Sequence, residues 1–97
     1  MKSIRIRDRA GAFAENKDVA QALRLEEIMP SLEKNEDVVL DFEGVEAVTQ
    51  SFIHALISDA IRKLGSGALD HIEFKSCNDE ARKIIAIVAD YMQEGAD

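Results

Sequence analysis

The stretch DVVLDF, Asp37 to Phe42, decides the fold. Val38, Val39 and Leu40 form an unbroken, β-prone apolar run, the mark of a strand covered on both faces. It is expected to be the central strand. The connection EGVEAV follows, and then Phe52, Ile53, Leu56, Ile57, Ala60, Ile61 and Leu64 trace a broad helical stripe that stops at Gly65 and Gly67. Strand, short connection and amphipathic helix together make half of a parallel crossover unit.

The same alternation extends outward in both directions. Towards the N-terminus, Val19, Ala22, Leu23, Ile28, Met29 and Leu32 recur at helical spacing from Asp18, with Asn16 or Asp18 available as cap. Pro30 lacks an N–H and crowds the preceding turn, so a kink or change of course is predicted near Met29. In Ser3 to Asp8, Ile4 and Ile6 alternate with Arg5 and Arg7, the pattern of a strand near a sheet edge. The segment Ala10 to Asn16 fits either a loop or a short strand. Towards the C-terminus, His71 to Lys75 reads as a strand, and Asn78 precedes a helix marked by Ala81, Ile84, Ile85, Val88, Tyr91 and Met92. The predicted order is strand, helix, strand, helix, strand, helix, hence an α/β fold with a small, mostly parallel sheet flanked by helices.

Composition narrows the function. With 97 residues the chain is expected to form a single domain over 1–97 around one core, and with no Trp that core is mainly aliphatic. The formal charge is −7, yet the first 17 residues hold five of the 12 basic side chains and only two of the 19 acidic ones. The acidic remainder repels phosphate backbones and anionic headgroups, so neither nucleic acid nor membrane is the expected partner, whereas a basic protein surface is. The single Cys77 has no internal disulfide partner and no metal-ligand spacing around it, which fits a reducing compartment. The sequence has no apolar run of membrane-spanning length and its N-terminus lacks a signal-like apolar stretch, so the expected location is the cytoplasm.

Leu40 to Ile57, LDFEGVEAVTQSFIHALI, resembles the region around the phosphorylation loop of STAS domains, the sulfate transporter and anti-sigma factor antagonist superfamily. It is most similar to the STAS-like family of unknown function, which likewise presents an apolar strand, an aspartate, a GV turn and a Ser-Phe opening a helix. The signal lies in Asp37 to Leu64. The resemblance implies a STAS-like fold and a regulatory protein-binding role. The partner it implies is a kinase-type ATP-binding protein or another regulatory protein, engaged through the loop before the second helix. The binding surface carried over comprises Glu43, Glu46, Thr49, Gln50, Ser51 and His54. In the anti-sigma factor antagonists an aspartate followed by a phosphorylated serine occupies this loop. Here Thr49 and Gln50 stand there, with Ser51 matching the neighbouring serine.

The residues themselves support simpler roles as well. Thr49 and Ser51 lie where a helix begins, so capping is the first role of either hydroxyl and phosphate acceptance the second. Asp41 is expected to hold the loop through its amides, with Gly44 at the turn. His54 faces either a partner or a half-buried hydrogen bond, and His54 and His71 lack the spacing of a helical metal pair. No matched acid, base or nucleophile stands at a telling spacing, so no catalytic residue, cofactor or metal site is assigned and the chain is expected not to be an enzyme. Two rivals remain. One is a small-molecule sensor with its ligand against the same loop. The other is a structural dimerisation module, cued by exposed Phe13, Tyr91 or Met92.

Overall fold

The computed structural model describes residues 1–95. Strands β1 (Lys2–Arg5), β3 (Val38–Asp41) and β5 (Ile72–Lys75) form a parallel three-stranded sheet in the order β1-β3-β5. The central place of β3 follows from Val38, Val39 and Leu40 being buried in succession, since only a strand covered on both faces can shelter such a run. A second, two-stranded parallel ladder joins β2 (Phe13–Ala14) to β4 (Ala47–Val48). The remaining helices are α1 (Ile6–Ala10), α2 (Lys17–Leu23), α3 (Met29–Glu33), α4 (Gln50–Leu64) and α5 (Asp79–Gly95).

The architecture is the expected parallel α/β one, with four local corrections. The first strand stops at Arg5 and a helical turn begins at Ile6, so Ile6 reaches the core from α1 and not from a strand extending to Asp8. The open segment Ala10 to Asn16 contains β2, and the EGVEAV connection contains its partner β4. The strand of the third unit begins at Ile72, and His71 ends a 3₁₀ turn over Ser66–His71. Around Pro30 the course changes earlier than Met29: Arg24–Ile28 form a π-helical segment between α2 and α3. Widening the helix there accommodates a proline near the start of α3, whose ring and missing N–H are incompatible with a regular turn.

The core is one cluster centred on α4. Phe52, Ile53, Leu56, Ile57 and Ile61 from α4 meet Ile4, Ile6, Val38, Leu40 and Phe42 from the sheet side, and Leu23 and Ile28 from the α2 side. Burial of each large aliphatic or aromatic side chain contributes about 1.5–3 kcal/mol, so this stripe fixes α4 against both layers. Asn16 caps α2, accepting from the Asp18 N–H at 2.9 Å, which decides between the two expected caps. Met92 is buried, leaving only Phe13 and Tyr91 of the three apolar dimerisation cues exposed.

Candidate functional site

The loop after β3 is built by short-range hydrogen bonds around two buried anchors. The Asp41 carboxylate accepts from the Glu43 N–H at 2.9 Å, and the Val45 N–H donates to the Phe42 carbonyl at 3.0 Å. Phe42 and Val45 are buried while Glu43, Gly44 and Glu46 face outward. Gly44 has φ +80°, and a Cβ there would stand 2.5 Å from Cδ of Arg7, which lies over the turn. Asp41 thus bonds an amide of its own loop, and Gly44 occupies a turn position of positive φ. Asp41 also stands in register between Arg5 and Lys75, at the C-terminal ends of the three parallel strands.

Two further contacts hold the loop's far side. The Glu46 N–H donates to the Ala12 carbonyl at 2.8 Å and the Thr49 N–H to that of Ala14 at 3.1 Å, so β2 braces the approach to α4. Asn78 accepts from the Ala81 N–H at 2.8 Å as the cap of α5, and its amide donates to the Glu46 carbonyl at 2.8 Å and reaches that of Val45 at 3.4 Å. One side chain therefore caps a helix and pins the candidate loop. Beside Asn78, Cys77 is half-buried; burial raises its thiol pKa above the ordinary value, Arg82 opposing the shift and Asp41 reinforcing it.

At the start of α4 the two candidate hydroxyls have different work. Thr49 Oγ1 accepts from the Phe52 N–H at 3.1 Å and is the N-cap. Ser51 lies in the first turn, is exposed, and its hydroxyl has no hydrogen-bond partner among the described residues. Capping is thus assigned to Thr49, and Ser51 is chemically free.

The six residues of the expected surface fall into two groups. Glu43, Glu46 and Thr49 lie on the exposed loop, whereas Gln50, Ser51 and His54 line an open cleft of about 540 Å³ between α2, α4 and α5. Lys17, Gln21 and Arg24 form one wall, Ser58, Asp59 and Arg62 extend the α4 floor, and Ile87 and Tyr91 form the opposite wall. Asp59 sits between two guanidinium groups, with Arg24 Nε at 3.3 Å and Arg62 Nη1 at 3.6 Å. These cleft residues, Arg24 and Tyr91 above all, were not identified as site residues from sequence. Their polar spacing was present as Lys17, Gln21 and Arg24, and as Ser51, Ser58 and Arg62, but such stripes read as ordinary wet helix faces until three helices are seen to meet.

A small parallel α/β domain is defined, with a pinned loop leading into the N-terminus of its central helix. The model of the STAS-like domain of unknown function (DUF4325) matches residues 20–82, about two-thirds of the chain. The chain belongs to this STAS-like family. No curated protein and no solved structure matches it. Among the described residues, no helix is long and apolar enough to cross a membrane.

Proposed function

We propose that this chain is a non-enzymatic regulatory module of the cytoplasm that binds a protein partner through the loop Glu43 to Thr49 and the first turns of α4. The observation that carries the proposal is the division of labour between Thr49 and Ser51. Thr49 secures the helix end, leaving Ser51 exposed in the first turn of α4 beside a concave surface. A binding surface that is already ordered loses little conformational freedom on association, which favours recognition by shape.

The same arrangement supports Ser51 over Thr49 as a phosphoacceptor. A phosphate there would add about −1.5 to −2 charge at the N-terminus of a long helix, where negative charge is favoured. Lys17 and Arg24 line the cleft that Ser51 borders, while Glu43 and Glu46 are on the loop side. Such a modification would reverse the local electrostatics and alter the fit of a partner. A kinase-type ATP-binding protein is the partner class that fits this mechanism.

The test is affinity capture from the native cytosol with wild type, Ser51→Arg and Lys34→Glu, followed by quantitative mass spectrometry and reconstitution from purified proteins. Lys34 adjoins Asn35 and Glu36, which share a hollow with Leu64 at the far end of α4, about 20 Å along the helix axis. A partner that survives Lys34→Glu and is lost with Ser51→Arg supports the proposal. Partners indifferent to Ser51→Arg, or none, count against it.

A further inference from the structure

We infer that the cleft between α2, α4 and α5 is a binding site for a small organic anion with a flat apolar body. The charge on its lining is the first ground. Lys17, Arg24 and Arg62 face a single carboxylate, Asp59, so the cleft carries a surplus of positive charge on a chain whose formal charge is −7. Concentrating cations in a concavity of an otherwise acidic surface focuses the field on an incoming anion.

Arg24 supplies the second ground. Its side chain is only 16% exposed, yet its contacts within the chain are weak: Nε lies 3.3 Å from Asp59 without hydrogen-bond alignment, and Nη1 reaches the Ala55 carbonyl at 3.5 Å. A guanidinium has five N–H donors; of this one, Nε is buried without a hydrogen-bond partner among the described residues and Nη1 holds only the long bond to Ala55. A carboxylate or sulfonate entering the cleft would give those donors the charge-assisted, forked bonds that Asp59 does not.

The third ground is the opposite wall, where Tyr91 is 68% exposed and Ile87 50% exposed. One helical turn apart on α5, they present a contiguous apolar and aromatic surface facing the cationic wall. A cleft of about 540 Å³ accommodates a ligand of one or two rings. The anionic head lies towards Lys17, Arg24 and Arg62, and the ring system lies against Tyr91 and Ile87. The cleft borders the surface of the protein-partner proposal at Gln50, Ser51 and His54, but the inference is argued from the far cleft lining, Arg24, Arg62, Ile87 and Tyr91, and not from the Glu43 to Thr49 loop or the Ser51 hydroxyl.

The experiment is ¹⁵N–¹H NMR of the full chain titrated with 1-naphthoate and, separately, with the uncharged 1-naphthalenemethanol. Saturable shifts are expected for 1-naphthoate on the amides of α2, α4 and α5 that line the cleft, with a Kd on the order of 1 mM from ordinary ligand efficiency. The alcohol, and the doubly substituted Lys17→Gln/Arg62→Gln chain, should each bind roughly tenfold more weakly. Both substituted side chains line the cleft and are exposed, so the fold is retained; Tyr91→Ala, also exposed, should weaken both probes alike. Absence of saturable shifts to about 10 mM, shifts scattered over the surface, or equal binding of alcohol and anion would overturn the inference.

Discussion

Thr49 and Ser51 are two residues apart and similar in chemistry, so substituting each in turn isolates the capping role. Thr49→Ala removes the acceptor that the Phe52 N–H meets at 3.1 Å, leaving an orphan donor at the head of the helix that carries the core stripe. Loss of an N-cap hydroxyl costs about 1 kcal/mol, within a range of roughly 0.5–2. For a domain of this size that lowers Tm by about 4–8 °C. Ser51→Ala removes no intrachain hydrogen bond among the described residues and places a better helix former in the first turn, so stability should hold or rise by up to about 0.5 kcal/mol. Ser51→Glu adds negative charge at the positive end of α4 and should stabilise by about 0.3–1 kcal/mol, an effect reduced by salt. Urea unfolding followed by far-UV circular dichroism, with Thr49→Ser expected to recover most of the loss, measures all four. A Ser51→Ala chain as destabilised as Thr49→Ala would refute the division of roles.

Asn78→Ala should cost about 2 kcal/mol in the same assay, because it removes the α5 cap and the donor to the Glu46 carbonyl. Asn78→Asp keeps the cap and replaces the donor with an acceptor, so amide exchange should quicken at Glu46 to Val48 more than at the start of α5. Gly44→Ala should destabilise by about 1 kcal/mol or more through its φ of +80°, with Arg7 displaced from the turn. The raised pKa of Cys77 means less thiolate than a free cysteine at any given mildly alkaline pH. Iodoacetamide should therefore modify it more slowly than the unfolded chain, with the half-maximal rate shifted to higher pH.

Which parts of the molecule could be read in the sequence follows from the range of the interactions involved. The buried run Val38 to Leu40 and the stripe of α4 announce themselves because each element's own periodicity reports how many of its faces are covered. The strands β2 and β4 are two residues each, too short for any period, and exist because the chain brings Phe13 and Ala14 beside Ala47 and Val48. Ile6 shows how a correct burial pattern can accompany a wrong element, since a helical turn buries it as well as a strand would. In the site, Asp41 and Thr49 act through neighbours within three residues and read as turn and cap chemistry, whereas Gly44, readable as a turn residue, also makes room for Arg7, 37 positions earlier. Asn78 was legible only as a cap, because its second partner, Glu46, lies 32 residues away. The cleft depends on three helices converging, and no local pattern encodes that.

The most direct test of the proposed function is hydrogen–deuterium exchange on the purified chain, free and saturated with the protein recovered by affinity capture. Protection is expected across Phe42 to His54, with little change at the opposite end of α4 around Leu64 and around Lys34. Protection centred on β1, α3 or the C-terminal turns of α4, with Phe42 to His54 unchanged, would contradict the claim that the pinned loop and the start of α4 form the binding surface.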